Sequence, residues 1–267
     1  MVTGSRESLA LRPLVTAAGV PHDGALIVHA GISRLSRAGF RAELIIECLL
    51  DQLRDGTLLM PAMTWRTVTP QHPNWDELDT PSHTGVLGEI FRQRYATSRS
   101  LHPTHSVCAV GRDADFLVSR HHFDDTPVSA NSPYGLLQNY NTYILMLGVG
   151  LESCTAIHLP EEQIAPDLYL RPPASTETYR CRDRWGTVHM VRTRRHWRLD
   201  RDFPKFAKPL MAKGQLLSGM IENCCSYQIV AMSHLLHEVT ATLLRNIRGT
   251  LSDKPGSAPP SNWQDDE

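Results

Sequence analysis

Short apolar runs alternate with helical patterns through the first 160 residues of the chain. The apolar runs have the length of strands buried on both faces, and they cover residues 25–29, 57–60, 106–110 and 143–148. The intervening stretches repeat apolar residues at the spacing of one helix face, and they cover residues 41–53, 85–94 and 114–120. Strands that alternate with helices predict an α/β fold with a mostly parallel central sheet flanked by helices.

The pattern changes after about residue 172. Residues 179–182 and 188–192 flank a DRWG segment that ends in Gly186, and this predicts a β-hairpin because Gly supplies the positive φ of the turn. Residues 203–217 and 229–247 then have the pattern of helices. We expect the hairpin and these helices to pack on the same core as the sheet.

The end of the chain has a different composition. From Leu251 onward it is polar and rich in Pro, Gly and Ser, which is typical of disorder. Neither an internal repeat nor a clear linker interrupts the rest of the chain. We therefore expect a single domain over residues 1–250 and a disordered tail over residues 251–267.

The overall composition narrows the class of protein. The chain has 267 residues, of which 41% are hydrophobic and 21% charged, as in ordinary globular proteins. Its formal net charge of -1 gives no field that favours nucleic acid or an anionic membrane, so we expect neither as a partner. No apolar stretch approaches the roughly 20 residues of a membrane helix. The six cysteines form no Cys-x-x-Cys pair, which favours reduced thiols and a cytoplasmic location.

Two polar segments adjoin the predicted strands. Residues 29–33 (HAGIS) begin at the end of the first strand, where Gly lets backbone amides approach a ligand closely. Residues 99–106 (RSLHPTHS) run into the third strand and carry two histidines, three hydroxyls and an arginine. Such a density of hydrogen-bonding groups indicates a loop that holds a ligand, although turn and capping chemistry also produces such segments.

The third chemically dense segment covers residues 148–162 (GVGLESCTAIHLPEE). If His158 lies in the first turns of a helix, Glu161 shares its face and orients one imidazole nitrogen, leaving the other free as a base. Thr155, three residues before His158, lies on that face and is placed to donate a hydrogen bond to a developing oxyanion. A helix-capping Thr with an incidental His–Glu pair is the structural alternative.

Two other chemistries remain open from the residues alone. Cys154, near His158, is the type of residue that accepts an acyl group in ping-pong transferases. A cluster of histidines is the second alternative, since it suggests a metal-dependent hydrolase. The histidines concerned are His102, His105, His121 and His122.

Taken in order, these segments resemble the aminoglycoside 3-N-acetyltransferase family, which is unrelated to the GNAT acetyltransferases. The resemblance runs from about Leu26 to Glu162 and more loosely to about Leu244. It begins with a strand that ends in His29 and is followed by a loop with Ser33. The remaining shared segments are residues 56–61 (GTLLMP), 99–106, 132–135 (SPYG), 147–150 (LGVG) and 155–161 (TAIHLPE).

The resemblance implies direct transfer of acetyl from acetyl-coenzyme A to a primary amine, without an acyl-enzyme. His158 and Glu161 then form the His-x-x-Glu pair that takes the proton of the incoming amine. No metal is implied. The contacts to coenzyme A that the resemblance suggests are His29, Gly31, Ser33, Arg99, Thr104 and Ser106.

The chain departs from the family pattern at two places. Ala30-Gly31 stands where the family commonly has Ser-Ser, so we expect one or two hydroxyl contacts to the co-substrate to be missing. Pro160 stands where a residue such as Ala is usual, and Pro removes a backbone donor and kinks a helix interior. Glu162 is therefore an alternative to Glu161 as the group that orients the base.

The acceptor is the least determined partner. A polycationic aminoglycoside calls for carboxylates, which Asp76 and Glu77 in the loop over residues 73–81 supply, with His105 as a further contact. A different biosynthetic amine, such as a small aminophosphonate, is an alternative acceptor. A non-catalytic coenzyme A-binding protein is an alternative of another class. We expect a small-molecule amine as the main partner, and a homodimer as an assembly to test.

Overall fold

The computed structural model describes residues 4–253. Seven strands form one sheet in the order β4-β5-β2-β1-β6-β10-β9, and three form a second sheet in the order β3-β7-β8. The strands are β1 (Ala25–Ala30), β2 (Thr57–Pro61), β3 (Asn74–Asp76), β4 (Ser98–Arg99), β5 (Val107–Gly111), β6 (Thr142–Leu147), β7 (Glu177–Arg182), β8 (Val188–Thr193), β9 (Leu216–Ile221) and β10 (Cys225–Ala231).

The helices lie between these strands, and most of them are short. They are α1 (Arg6–Ala17), α2 (Ser33–Arg37), α3 (Ala42–Gln52), α4 (Val86–Arg94), α5 (Ala114–Val118), α6 (Pro133–Leu137), α7 (His158–Ile164), α8 (Pro166–Tyr169), α9 (Ala207–Ala212) and α10 (Met232–Arg245). The α/β prediction is confirmed, and the predicted helices over 41–53, 85–94 and 114–120 correspond to α3, α4 and α5. Helix α1, which starts at the capping side chain of Ser5, was not predicted.

The parallel part of the large sheet is its centre. Strand β1 pairs in parallel with β2 on one side and with β6 on the other, and Ala25 lies opposite both Thr57 and Thr142. Antiparallel strands extend the sheet at both edges. Side chains at residues 25–28 of β1 alternate between two hydrophobic clusters, one on each face, so this part of the strand is apolar.

The predicted hairpin is confirmed as β7 and β8, with Gly186 at φ 88° in its turn. It belongs to the small sheet, in which β3 pairs in parallel with β7. This sheet has a hydrophobic cluster of its own around Trp75, Tyr179 and Val191. The hairpin was expected to pack on the core of the large sheet, and it packs on this separate cluster instead.

The helical prediction over residues 203–217 and 229–247 is wrong in part. Strands β9 and β10 cover the adjoining ends of these ranges and pair with each other, and β10 also pairs with β6. Their turn places Glu222 and Asn223 at positive φ values of 44° and 55°. Short apolar runs fit a buried strand as well as a helix, and pairing with β6 decides the matter here.

The C-terminal boundary also differs from the prediction. Leu251, placed in the tail by its composition, is 3% exposed and forms a β-bridge with Arg201. The remainder of the predicted tail, residues 254–267, lies outside the described residues. The fold therefore extends to Leu251, and the division into one domain stays a prediction.

Candidate active site

A cleft of about 410 Å³ opens at the carboxyl ends of β1 and β6. Its wall includes His29 at the end of β1, residues 149 and 152–155 after β6, and His158 at the start of α7. Ligands of α/β sheets bind at this end of the strands, because loops from neighbouring strands meet there. The cleft has the size of an ordinary small-molecule site.

His158 is the first residue of α7, and its side chain is 18% exposed. Its Nδ1 lies 2.7 Å from Oε2 of Glu161, the arrangement predicted from their spacing. Burial lowers the pKa of His158 below its ordinary value of 6.5, and Glu161 opposes that shift without reversing it. The imidazole is therefore neutral at pH 7, with Nε2 as its second nitrogen for a ligand in the cleft.

Glu161 is fully buried and held by several partners. Nε of Arg201 donates to its two carboxylate oxygens at 3.2 and 3.1 Å, and the hydroxyl of Thr250 donates to Oε1. Burial alone raises the pKa of Glu161, but His158 and Arg201 outweigh it, and the pKa lies below the ordinary 4.5. Glu161 is thus an ionised acceptor that fixes His158 through Nδ1.

Pro160 does not disturb this pair. It is the third residue of α7, within the first turn, where the helix has no use for its missing N–H. Glu162, the alternative partner, faces away from His158. Its carboxylate accepts from Oγ1 of Thr126 and lies 2.7 Å from Nε2 of His196, so it orients His196 instead.

Thr155 lies in the cleft wall, in a 3-10 turn over Thr155–Ile157 that runs directly into α7. Helix α7 therefore begins at His158, and Thr155 is not its capping residue. The side chain still precedes His158 by three residues on a continuous helical path.

Cys154 is also in the cleft wall, but it is 1% exposed. Burial raises the pKa of its thiol to about 12. A thiol with this pKa is protonated at neutral pH and is a poor nucleophile. The geometry therefore disfavours the ping-pong alternative.

The three predicted co-substrate residues after β1 differ in position. His29 lies in the cleft wall, whereas Ser33 opens α2, is exposed and lies outside the wall. Gly31 passes close to the loop after β6, since a Cβ there would lie 2.9 Å from Cγ1 of Val149. Because Gly31 has no side chain, the ends of β1 and β6 can approach this closely.

Arg99, Thr104 and Ser106 are buried and lie outside the cleft wall, so their direct contact with coenzyme A stays a prediction. Nε of Arg99 donates to Oγ of Ser106, and its other nitrogens donate to the carbonyls of Ala62, Glu77 and Thr80. Thr104 Oγ1 lies 2.8 Å from Nδ1 of His105. The segment therefore braces neighbouring loops and orients His105.

The predicted acceptor residues are also separated. His105 lies in the cleft wall. Asp76 accepts from Arg182 and Glu77 from Arg184, and both carboxylates lie outside the wall, so their contact with an acceptor stays a prediction. Basic partners of the hairpin neutralise both carboxylates, which the acidic loop sequence alone does not show.

Several wall residues were not predicted. Glu152 belongs to the segment 148–162 but had no predicted role, and the others come from separate parts of the chain that the fold brings together: Trp65, Arg66, His83 and Phe203. Glu152 accepts from the backbone N–H of Gly150, and Arg66 lies over the ring of Trp65.

The histidines of the hydrolase alternative do not form a metal site. His121 uses Nδ1 with Oγ of Ser100 and Nε2 with the carbonyl of Pro127, and its ring stacks on His102. Within residues 4–253, no three His, Cys, Asp or Glu side chains are grouped to hold a metal ion. The geometry therefore does not support this alternative.

The sequence profile described as aminoglycoside 3-N-acetyltransferase matches residues 27–243. The chain belongs to this family. It is 30% identical over 163 residues to aminoglycoside N(3)-acetyltransferase III of Pseudomonas aeruginosa, covering 54% of this chain and 59% of that protein. It is 25% identical over 169 residues to the aminoglycoside N(3')-acetyltransferase-like protein YokD of Bacillus subtilis, covering 55% and 62%. The chain thus matches about 60% of the length of these relatives.

Solved structures of similar fold extend over more of the chain. The crystal structure of YokD has a TM-score of 0.75 at 19% identity and covers 91% of this chain and 94% of its own. AAC-IIIb, in a binary complex with CoASH, has a TM-score of 0.74 at 22% identity and covers 94% and 99%. AAC-VIa bound to sisomicin has a TM-score of 0.72 at 19% identity and covers 90% and 97%.

The remaining expectations concern location and assembly. None of the helices within residues 4–253 is both long and apolar enough to span a bilayer. All six cysteines are unpaired. The cytoplasmic location and the homodimer stay predictions.

Proposed function

We propose that this member of the aminoglycoside 3-N-acetyltransferase family transfers the acetyl group of acetyl-coenzyme A directly to a primary amine, with His158 as the general base. The observation that carries the proposal is the pairing of His158, which lies in the wall of the cleft, with the buried Glu161. Its family membership supports acetyl transfer, and a structural neighbour binds CoASH.

The reaction needs a base because an alkyl amine is mostly protonated at neutral pH. The free amine attacks the thioester carbonyl while Nε2 of His158 takes a proton from the amine nitrogen. The new C–N bond forms, the C–S bond breaks, and the imidazolium returns its proton to the departing thiolate. Glu161 holds the imidazole in the tautomer that leaves Nε2 unprotonated and stabilises the imidazolium.

Negative charge develops on the carbonyl oxygen during the attack. Thr155 lies in the cleft wall beside His158, and we assign its hydroxyl to that oxygen. The thioester arm of the co-substrate lies along His29 and the close approach of Gly31 to the loop after β6. Arg99 and Ser106 brace the loop after β2, and Thr104 orients His105, which lies in the cleft wall.

Aminoglycosides are the first acceptors to test, because several relatives are named for them. One observation favours a second candidate, a small amine with fewer positive charges. Among the acidic and basic residues Asp, Glu, Lys and Arg, the described wall contains Glu152 and Arg66, one of each sign. A polycation binds more tightly to a wall with several carboxylates.

The test combines acetyl-coenzyme A with a panel of aminoglycosides and a matched panel of small primary amines. Thiol release and the mass of the acetylated product are measured, and kcat/KM ranks the acceptors. N-acetylated product from either panel supports the proposal, and the ranking selects the acceptor class. Binding of coenzyme A without any acetylated amine contradicts transfer and favours the non-catalytic binding protein.

A further inference from the structure

A second histidine–glutamate pair lies against the first. The ring of His196 stacks on that of His158, with centroids 4.3 Å apart and planes inclined by 27°. Nε2 of His196 lies 2.7 Å from Oε1 of Glu162. His196 is 10% exposed and lies behind His158, outside the cleft wall.

Glu162 is itself fixed by a different part of the chain. Its Oε2 accepts from Oγ1 of Thr126 at 2.6 Å, and its Oε1 accepts from the backbone N–H of Val128 at 2.9 Å. The Glu162 side chain is 3% exposed. Three contacts therefore define its position, and through it the position of the His196 ring.

The ring of His158 needs more than its bond to Glu161 to keep a single orientation. A hydrogen bond at Nδ1 fixes one atom but leaves the ring free to tilt about that atom. His196 covers one face, and Phe203 meets the ring edge-to-face with centroids 5.3 Å apart. Stacking on one face and the hydrogen bond on one edge together restrict the direction of Nε2.

We propose that His196, locked by Glu162, is a positioning residue that holds the imidazole of His158 with Nε2 directed into the cleft. This inference rests on the proposed function of His158 as the base. His196 acts through the contact between the two rings and touches neither the amine nor the thioester. Loss of the contact lowers the rate because small misplacements of a reacting group are costly.

Two substitutions distinguish the contribution of the His196 ring from that of its hydrogen bond to Glu162. His196→Ala removes both, and His196→Phe keeps an aromatic ring on His158. We expect His196→Ala to lower kcat by about 10- to 100-fold with KM unchanged within about 3-fold. His196→Phe keeps the ring contact but loses the bond to Glu162, so it is expected to recover at least about one third of the native kcat, and the remaining loss measures the contribution of Glu162. A role in overall folding alone does not produce this split between kcat and KM.

His189→Ala is the matched control. His189 also contacts a carboxylate, Asp183, at 2.8 Å, but it lies in the β7–β8 hairpin and outside the cleft wall. The His189→Ala variant is expected to leave kcat and the nitrogen-15 signals of His158 unchanged. Thermal unfolding of each variant shows whether the chain remains folded.

A second readout does not depend on the acceptor. Nitrogen-15 spectra of labelled histidine report the tautomer of His158, which is expected as one sharp set with a proton on Nδ1 in the native chain and in His196→Phe. His196→Ala is expected to broaden or split this set. Native kcat in His196→Ala, or equal losses in both variants, overturns the proposal.

The two proposals fail in distinguishable ways. If the native chain acetylates no amine, the proposed function fails, and the spectra alone decide the role of His196. Unchanged His158 signals in His196→Ala then overturn the positioning role, whereas broadened signals that His196→Phe restores support it.

Discussion

Nε of Arg201 lies 3.1 Å from the same Oε2 of Glu161 that contacts Nδ1 of His158. The buried carboxylate therefore serves an imidazole and a guanidinium at once. Its negative charge favours the protonated form of His158, and the positive charge of Arg201 disfavours it. Burial lowers the pKa of His158 most, and these two groups then change it in opposite directions.

Glu161 raises the pKa of His158 and so opposes the effect of burial, and Glu161→Gln removes this contribution. We expect kcat to fall by about 100-fold, since the base loses its orientation and its charge partner. The pKa of His158 falls further below 6.5, so the acidic limb of kcat/KM moves to lower pH. A rate–pH profile of native and Glu161→Gln protein checks both effects; an unmoved limb contradicts the assignment.

Replacing Arg201 with Gln is expected to move the acidic limb of kcat/KM in the direction opposite to that in Glu161→Gln. Arg201 lowers the pKa of His158, so its removal raises that pKa and moves the acidic limb to higher pH. It also leaves the fully buried Glu161 without its cation, which typically costs about 3–5 kcal/mol of stability. The profile is therefore measured well below the unfolding temperature of the variant, and a shift of the limb to lower pH rejects this interpretation.

Thr155 tests the proposed stabilisation of the oxyanion. Thr155→Val keeps the shape of the side chain and removes the hydroxyl. Loss of one donor to an oxyanion lowers kcat by about 100- to 1,000-fold, with little effect on KM. Steady-state kinetics measure this; a variant within about 3-fold of the native kcat removes Thr155 from the mechanism.

Cys154 distinguishes direct transfer from a ping-pong reaction. Because burial raises the pKa of this thiol to about 12, Cys154→Ala is expected to retain kcat within about 3-fold. Mass spectrometry of the native chain, quenched during turnover, is expected to show no acetyl group on Cys154. An acetylated Cys154 that forms and decays at the rate of turnover is incompatible with direct transfer.

The central strands and the His158–Glu161 pair were predictable because both follow from short-range pattern. A run such as residues 143–148 is apolar throughout only when both faces of a strand are covered, as β6 is. The i,i+3 spacing places two side chains on one face of a helix wherever that helix packs. These features depend on few long-range contacts.

The remaining parts of the site depend on long-range contacts. Arg99 appeared as a ligand contact, but the carbonyls that occupy it belong to Ala62, Glu77 and Thr80. His196 is 38 residues away from His158 in the chain, and only the fold stacks the two rings. The spacing of residues in the sequence carries no information on such contacts.

The direct test of the account is acetyl transfer by His158→Ala, compared with the native chain under saturating acetyl-coenzyme A and the best acceptor from the panel. Thiol release is followed at several pH values, and coenzyme A binding is measured in parallel to show that the cleft is intact. We predict turnover reduced by about 100- to 10,000-fold, with binding of coenzyme A retained. Turnover close to the native rate in His158→Ala would contradict the assignment of His158 as the base.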